Sequence, residues 1–186
     1  LVRRLIGDKG SGALFLDGDF KEYDIGIGVE LMLAVFEMYE FTLLEAAKRG
    51  VDVSLALRDL RCVRDDTCYP CYNYNGDVVM VAGTNPSGGN LTVFNNCFAN
   101  SLILRYSYFK YARAHRLVVP RFNLNVTALT YGDDGVHTTK VEWYTRGVIA
   151  AGSADFGLIF TDAAKSAVLK DHSELPEIGR ASCRER

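Results

Sequence analysis

The chain has 186 residues, of which 48% are apolar, and its 21 basic residues nearly balance its 23 acidic ones. This apolar content excludes a disordered chain and fits one folded domain, since domains typically hold roughly 100 to 200 residues. The charge balance excludes binding of nucleic acid or anionic lipid by bulk charge alone, so a polyanionic partner must meet a local site.

The cysteines and the lack of long apolar runs indicate the cellular setting. No run approaches the ~18 apolar residues that span a bilayer, and the first residues lack an initiator Met and a secretory segment. We therefore expect an internal piece of a longer protein. Its five cysteines are an odd number in a chain large enough to fold without disulfides, which favours a reducing, cytosolic setting.

The first half of the chain predicts a strand, two helices and a hairpin. Residues 14–19 form an apolar strand pattern that ends in carboxylates. A long amphipathic helix follows, which Gly50 ends, and residues 52–54 are suited to cap a second helix. Asn75 and Gly76 lie between two strand-like runs, and this dipeptide is typical of the type I′ turn of a β-hairpin.

The second half predicts a loop, a long helix and another hairpin. The glycine-rich stretch 83–89 is unsuited to regular structure, whereas residues 91 to about 113 contain no Pro or Gly and predict the helix. The hairpin consists of a strand over 124–131, a tight turn over 132–135 and a return strand over 136–141. The remaining predicted elements are a helix over 143–151, an extended segment over 156–160 and a turn or helix start over 161–165.

Two acidic groups lie at the ends of predicted strands. Asp17, Asp19 and Asp24 belong to the first group, and Asp133 and Asp134 form the second at the tip of the hairpin. Taken separately, the first is explained by loop or helix-cap residues and the second by turn residues. Together they match the requirement of two-metal phosphoryl chemistry, because hard Mg²⁺ ions take oxygen ligands and lie ~4 Å apart.

Polar residues between the two acidic groups add hydrogen-bonding capacity. Thr92 and Asn96 are at i and i+4 directly after the glycine-rich loop, so they share one face of the predicted helix. Both side chains can hydrogen-bond a hydroxyl group. The alternative is polar surface residues on a helix, with Ser87 as its N-terminal cap. The residues alone leave both interpretations open.

The chain contains four motifs in order. They are Asp19-x4-Asp24, Ser87-Gly88-x3-Thr92-x3-Asn96, Tyr131-Gly132-Asp133-Asp134 and Phe156-Gly157-Leu158-x2-Thr161-x3-Lys165-Ser166. In order and internal spacing they resemble motifs A, B, C and D of viral RNA-dependent RNA polymerases, and most closely those of the picornavirus-like supergroup of positive-strand RNA viruses. The resemblance extends over residues 14–175, nearly the whole chain.

The resemblance implies an α+β fold, a polymerase palm in which an antiparallel sheet has helices packed mainly on one face. It implies template-directed RNA synthesis, in which a nucleotidyl group passes from an NTP to the RNA 3′-OH with two Mg²⁺ ions, or with Mn²⁺ as a substitute. The implied partners are an RNA template and primer, NTPs and other viral replication proteins. The implied location is the host cytoplasm, within viral replication complexes.

For catalysis, the resemblance assigns the two Mg²⁺ ions to Asp19 and Asp133, with Asp134 assisting. Asp17 lies on the same strand face as Asp19 and is a competing ligand. We prefer Asp19, because only it leaves four residues before Asp24.

For substrate recognition, the resemblance assigns the ribose 2′-OH to Asp24 and Asn96, with Ser87 and Thr92 in the supporting hydrogen-bond network. Lys165 matches the lysine of motif D, which is proposed to protonate the leaving pyrophosphate as a general acid. These roles suit the hydrogen-bonding and acid-base chemistry of the side chains.

Two departures from the family pattern predict a fragment. Before residue 14 there is no basic fingers segment to grip the triphosphate, and after Lys165 the family's Phe-Leu-Lys-Arg stretch and the thumb are missing. We therefore expect residues 1–176 to be a palm with part of the fingers, inactive by itself. Residues 177–186 resemble a translated sequencing-library adapter, and we expect them not to belong to the natural protein.

Reverse transcription is the nearest alternative activity, since it also uses paired aspartates at a hairpin tip. Asp24, Thr92 and Asn96 oppose it, because a DNA-making enzyme should exclude the 2′-OH. A non-catalytic palm-like or structural viral module is the second alternative.

A cysteine cluster permits a zinc site. Cys62, Cys68 and Cys71 include one pair at ligand spacing, but the sequence offers no obvious fourth ligand. Free thiols beside the first hairpin are the favoured interpretation.

Overall fold

The computed structural model describes residues 13–85, 89–118, 121–161 and 169–172. These residues form two compact units. The first unit contains the described residues up to Lys21 together with those from Asn100 onward, and the second contains those from Glu22 to Ala99.

Helices and antiparallel strands share the described chain. The strands are β1 (Leu14–Lys21), β2 (Cys71–Tyr74), β3 (Asp77–Met80), β4 (Val126–Tyr131), β5 (Asp134–Thr139) and β6 (Ile159–Thr161). The helices are α1 (Tyr23–Gly26), α2 (Val29–Ala47), α3 (Ser54–Cys68), α4 (Thr92–Ala114), α5 (Phe122–Asn125) and α6 (Arg146–Ser153). A short 3-10 helix, Ala154–Phe156, takes up the start of the segment predicted to be extended. The prediction of an α+β, palm-like fold with an antiparallel sheet is confirmed.

β1 is an inner strand of the sheet in the first unit, which has the order β4-β5-β1-β6. It pairs antiparallel with β5 from Leu14 to Gly18 and then with β6 from Asp19 to Lys21. Its residues from Phe15 to Gly18 are all buried. Since neighbouring residues on a strand point to opposite faces, both faces of the sheet are covered there. The strand predicted in this segment is confirmed.

Tyr108 of α4 lies in an aromatic cluster of the first unit. Its buried ring contacts the rings of Phe122 and Tyr144, with centroid separations of 5.3 and 5.4 Å. Its hydroxyl accepts a hydrogen bond of 2.6 Å from the side-chain amide of Asn125. These contacts hold the helical turn α5 in place, so β4 begins at Val126 and the prediction of strand in the two preceding residues is wrong.

Two other boundaries differ from the prediction because side chains supply local hydrogen bonds. The Thr139 hydroxyl accepts a hydrogen bond of 3.1 Å from the backbone N–H of Val141, and β5 ends at Thr139, two residues earlier than predicted. The Thr145 hydroxyl accepts a hydrogen bond of 3.3 Å from the backbone N–H of Val148. As an N-cap it starts α6 at Arg146, three residues later than predicted.

The second unit has the predicted helices and the predicted first hairpin. α2 buries one face, formed by Leu31, Met32, Val35 and Phe36. Gly50 follows with a φ of 85°, and the Asp52 carboxylate accepts a hydrogen bond of 3.0 Å from the backbone N–H of Ser54 at the start of α3. Asn75 and Gly76 have φ values of 53° and 99°, the two positive values that a type I′ turn requires.

A buried ion pair joins α6 to β1 within the first unit. Arg146 and Asp17 are 2% and 6% exposed, and the guanidinium donates to the Asp17 carboxylate and, at 3.0 Å, to the Asp17 carbonyl oxygen. A third guanidinium hydrogen bond, of 3.3 Å, reaches the Lys170 carbonyl oxygen. Arg146 therefore connects β1, α6 and the segment at 170.

Breaking this pair should destabilise the chain strongly. In Asp17→Ala the Arg146 charge stays buried without its carboxylate, which lowers the free energy of unfolding by about 3–5 kcal/mol. Asp155→Ala is the matched control in the same unit, because the Lys110–Asp155 pair is solvent-exposed and screened, so its loss should change stability little. Urea denaturation of both variants measures the difference, and similar small losses would contradict the prediction.

Candidate active site

Asp19 lies where β1 changes partner. Gly18 pairs with Gly135 of β5, whereas Asp19 pairs with Thr161 of β6. The Asp19 carbonyl oxygen accepts a hydrogen bond of 3.3 Å from the Thr161 hydroxyl, and its carboxylate accepts one of 2.7 Å from the backbone N–H of Phe20. The half-buried Asp19 is thus held by contacts on its main chain and its side chain.

The hairpin of β4 and β5 carries the second pair of carboxylates. Its turn consists of Gly132 and Asp133, and Asp134 is already paired with Tyr131, so the turn is tighter than the predicted four residues. Gly132 has a φ of 64° while Asp133 has no positive φ, which matches a type II′ turn with glycine at its first central position. Asp133 is half-buried and Asp134 is exposed.

The strand register brings Asp19 and the carboxylates of the hairpin to one end of the sheet. Gly18 is opposite Gly135. One residue further along β1 is Asp19, and one residue closer to the hairpin tip is Asp134, because the strands are antiparallel. Asp133 follows directly in the turn.

Both glycines of this pair are required by neighbouring rings. A Cβ at Gly135 would lie 2.6 Å from the His137 imidazole, and a Cβ at Gly18 would overlap the Phe160 ring. The backbone of β1 and β5 can therefore pass under these rings only because neither position has a side chain.

Asn100 of α4 supports the hairpin tip. Its side-chain amide donates hydrogen bonds to the carbonyl oxygens of Asp133 at 2.9 Å and of Gly132 at 3.4 Å, and the residue is 1% exposed. Asn100 is not among the residues predicted from the sequence. Its position continues the spacing of Thr92 and Asn96 by one more helical turn, and that repeat of polar residues was the available signal.

His137 is a buried, neutral histidine on the return strand. It is 1% exposed, and burial lowers its pKa to about 4 despite a hydrogen bond at the Val136 backbone. An unpaired imidazolium at this position would be strongly disfavoured, because a charge loses its hydration when it is buried.

The free energy of unfolding should therefore depend on pH. The free energy of unfolding is highest above pH 6.5, where His137 is neutral in both the folded and the unfolded chain. It decreases as the pH falls toward about 4, the pKa of His137 in the folded chain, because the unfolded chain takes up the proton first. Between pH 7 and pH 5 we expect a loss of about 2 kcal/mol. Urea denaturation across this range should show a flatter profile for His137→Leu and an unchanged one for His115→Leu, which alters an exposed histidine. An equal loss in His137→Leu would contradict the assignment.

Asp17, the carboxylate that competes with Asp19, is held by Arg146. It is buried, and its carboxylate receives the guanidinium described above. Asp19 is more exposed and lies beyond this ion pair. The geometry therefore favours Asp19 over Asp17 as a metal ligand.

The second unit contains a network of amides around Asp24. The Asn96 amide donates a hydrogen bond of 2.6 Å to Asp24 Oδ1, and Asn96 Oδ1 accepts one of 2.6 Å from the Asn85 amide. The Asn85 amide also donates to the Thr92 carbonyl oxygen at 3.0 Å. Asn85 is 2% exposed and Asn96 is 5% exposed. The structure thus joins the predicted residues Asp24, Thr92 and Asn96, and it adds Asn85, which the sequence offers only as a residue before proline.

Some predicted residues fall in parts of the chain that the structure does not describe. Ser87, Lys165 and the segment 177–186 lie outside the described residues. Within residues 13–85, 89–118, 121–161 and 169–172, no three His, Cys, Asp or Glu side chains form a cluster that could hold a metal ion. In the same part of the chain, no helix is long and apolar enough to cross a membrane.

The three cysteines of the predicted cluster are free thiols. Cys62 and Cys71 are exposed, Cys68 is buried, and burial raises the pKa of the Cys68 thiol to about 11. A thiol with a raised pKa is a poor metal ligand, because the metal binds the thiolate.

A match to a protein family places the chain among known proteins. A model of the viral RNA-dependent RNA polymerase family matches residues 2–180. The chain belongs to this family. The two acidic groups and the amide network thus lie in a polymerase-family chain, and the predicted resemblance to picornavirus-like polymerases is confirmed.

Three replicase polyproteins are similar to this polymerase-family chain. That of Drosophila C virus is 26% identical over 185 residues, which cover 91% of the chain and 10% of the polyprotein. That of cricket paralysis virus is 29% identical over 113 residues, which cover 58% of the chain and 6% of the polyprotein. That of acute bee paralysis virus is 27% identical over 177 residues, which cover 88% of the chain and 9% of the polyprotein. The chain therefore spans about a tenth or less of each of these relatives.

Proposed function

We propose that this chain supplies the catalytic carboxylates and the ribose-recognition residues of a viral polymerase that copies RNA from an RNA template. The register of β1 against β5 carries the proposal, because it supports a shared role for Asp19 and Asp133 in a chain of this family. In the proposed reaction the 3′-OH of the growing RNA attacks the α-phosphate of an NTP, and pyrophosphate leaves.

Asp19 and Asp133 would hold two Mg²⁺ ions with Asp134 assisting, and Mn²⁺ is an expected substitute. The donors fit, since Mg²⁺ takes oxygen ligands and binds through one or two carboxylates together with substrate phosphates and water. A cluster of three protein ligands is therefore not required. When bound, the ions stabilise negative charge on the attacking and leaving oxygens.

The residues around the carboxylates keep them in position. Asn100 binds the main-chain carbonyls of the hairpin tip, which limits movement of Asp133. Arg146 binds the Asp17 carboxylate, and this favours Asp19 as the ligand on β1. Preorganised charge of this kind contributes to phosphoryl transfer mainly through positioning.

Asp24 and Asn96 are proposed to recognise the ribose 2′-OH, with Thr92 and Ser87 in support. Asn96 donates a hydrogen bond to one carboxylate oxygen of Asp24, and the second carboxylate oxygen can accept a hydrogen bond from a hydroxyl group. Binding of the 2′-OH distinguishes ribonucleotides from deoxyribonucleotides. This chemistry favours an RNA-making enzyme over a reverse transcriptase.

The remaining assignments complete the proposal. Lys165 is the proposed general acid for the leaving pyrophosphate. The proposed partners are an RNA template and primer, NTPs and other viral replication proteins. The proposed location is the host cytoplasm, within viral replication complexes.

Asp133→Asn in the complete polymerase should abolish nucleotide addition and leave the fold intact, because it removes a ligand charge at a hairpin tip and little packing. Primer extension with NTPs measures the activity. Asp155→Asn makes the same substitution at an exposed site of the same unit and should retain it. Near-normal extension by Asp133→Asn would contradict the proposed role.

Asn96→Ala and Asp24→Ala should reduce the preference for ribonucleotides more than they reduce stability, because both remove part of the 2′-OH network. The ratio of kcat/KM for an NTP to that for its dNTP measures the preference. Asn95→Ala is the neighbouring control, since Asn95 Oδ1 accepts a hydrogen bond from the Tyr39 hydroxyl. An unchanged ratio in both test variants would refute the assignment.

A further inference from the structure

Asn85 is tied to the ribose-recognition residues through both its main chain and its side chain. Its backbone N–H donates a hydrogen bond of 2.7 Å to the Asp24 carbonyl oxygen. The preceding residue, Thr84, donates from its backbone N–H to the Ile27 carbonyl oxygen at 2.9 Å. Asn85 is therefore fixed against α1, and at 2% exposure water does not compete for its hydrogen bonds.

The close approach of this loop requires glycine beside it. Gly83 has a φ of 86°, and a Cβ there would lie 2.9 Å from the Ile27 carbonyl oxygen and from the Val29 nitrogen. A side chain at Gly83 would push the loop away from α1 and α2. The position of Asn85 is therefore built into the backbone of the loop.

The hydrogen bonds of Asn85 have a fixed direction. The Thr92 carbonyl oxygen can only accept, so the Asn85 group at 3.0 Å from it is the NH₂ group. The same NH₂ lies 2.6 Å from the Asn96 side chain, which must present its oxygen there. The Asn96 NH₂ is then left to donate to Asp24 at 2.6 Å.

The opposite orientation of Asn96 would be unfavourable. It would place the amide oxygen against the Asp24 carboxylate and two NH₂ groups against each other. Each buried group would lose its partner, and unsatisfied buried polar groups are costly. One main-chain carbonyl, that of Thr92, thus determines the direction of the whole chain of hydrogen bonds up to Asp24.

We propose that Asn85 is a positioning residue for ribose selection, acting through Asn96. Asn85 orients the Asn96 amide so that the Asn96 NH₂ binds Asp24 Oδ1. The other carboxylate oxygen of Asp24 then accepts a hydrogen bond from the 2′-OH of a ribonucleoside triphosphate. The inference rests on the proposed function and deepens it, since it adds a residue outside the polymerase motifs to the specificity of the same site.

Asn85→Asp is the sharpest test, because the introduced carboxylate cannot donate to Thr92 and competes with Asp24 for the Asn96 NH₂. In the complete polymerase, the NTP to dNTP ratio of kcat/KM should fall by at least about tenfold, as expected when a site built to bind a hydroxyl loses its hydrogen bond. Asn85→Ala introduces no charge and serves as a second variant if Asn85→Asp impairs folding. It should also lower the NTP to dNTP ratio.

Asn95→Asp is the matched control. Asn95 is also buried and precedes Asn96 directly, but its Oδ1 accepts from the Tyr39 hydroxyl at 3.1 Å, a role that a carboxylate keeps. The ratio should stay unchanged in this variant. A purely structural role of Asn85 would instead lower kcat/KM equally for NTP and dNTP, and this outcome overturns the inference.

A double-mutant cycle tests whether Asn85 acts through Asn96. In an Asn96→Ala background, Asn85→Asp should no longer change the NTP to dNTP ratio. An equal fall in both backgrounds overturns the inference and leaves the proposed function intact. If Asn96→Ala leaves the NTP to dNTP ratio unchanged, Asn96 does not recognise the ribose, and this refutes both its proposed role and the inference about Asn85.

A measurement on the 186-residue chain separates the hydrogen-bond direction from activity. The side-chain NH₂ resonances of Asn96, identified by their loss in Asn96→Ala, should shift more in Asn85→Asp and Asp24→Ala than in Asn95→Asp. Resonances that do not respond to Asn85→Asp overturn the inference, whatever the polymerase activity.

Discussion

The change of partner along β1 is the constraint on which the candidate active site depends. Up to Gly18 the strand pairs with β5, and from Asp19 it pairs with β6, so Asp19 lies between two ladders of main-chain hydrogen bonds. This pairing needs glycine at Gly18 and Gly135, because the rings of Phe160 and His137 lie over them. A side chain at either position would displace a ring and move the neighbouring carboxylate.

Buried polar side chains add the second level of control. Asn100 binds carbonyl oxygens of the hairpin tip, Arg146 binds the carboxylate and the carbonyl of Asp17, and Asn85 binds the amide of Asn96. Each of the three binding groups is at most 2% exposed. Each has strong directional preferences and a high cost of being left unpaired. The proposed chemistry therefore relies on residues that would not themselves touch substrate.

The sequence predicted turn chemistry and the fold class correctly, but it misplaced several boundaries of helices and strands. Asn75 and Gly76 form the predicted type I′ turn, because their positive φ values are a property of the dipeptide. The start of β4 was predicted too early, because Asn125 binds the Tyr108 hydroxyl and stays in a helical turn. The hairpin tip is tighter than predicted, since Asp134 pairs across the strands with Tyr131.

The sequence by itself determined the order of helices and strands, the motif residues and the family, because periodicity, turn dipeptides and motif spacing are local properties. Only the tertiary structure decided which of two carboxylates on β1 is bound by a buried cation, since Arg146 lies 129 residues beyond Asp17. It also decided the direction of the hydrogen bonds from Asn85 to Asp24. Hydrogen bonds between residues distant in sequence leave no periodic signal, so their partners are known only once the chain has folded.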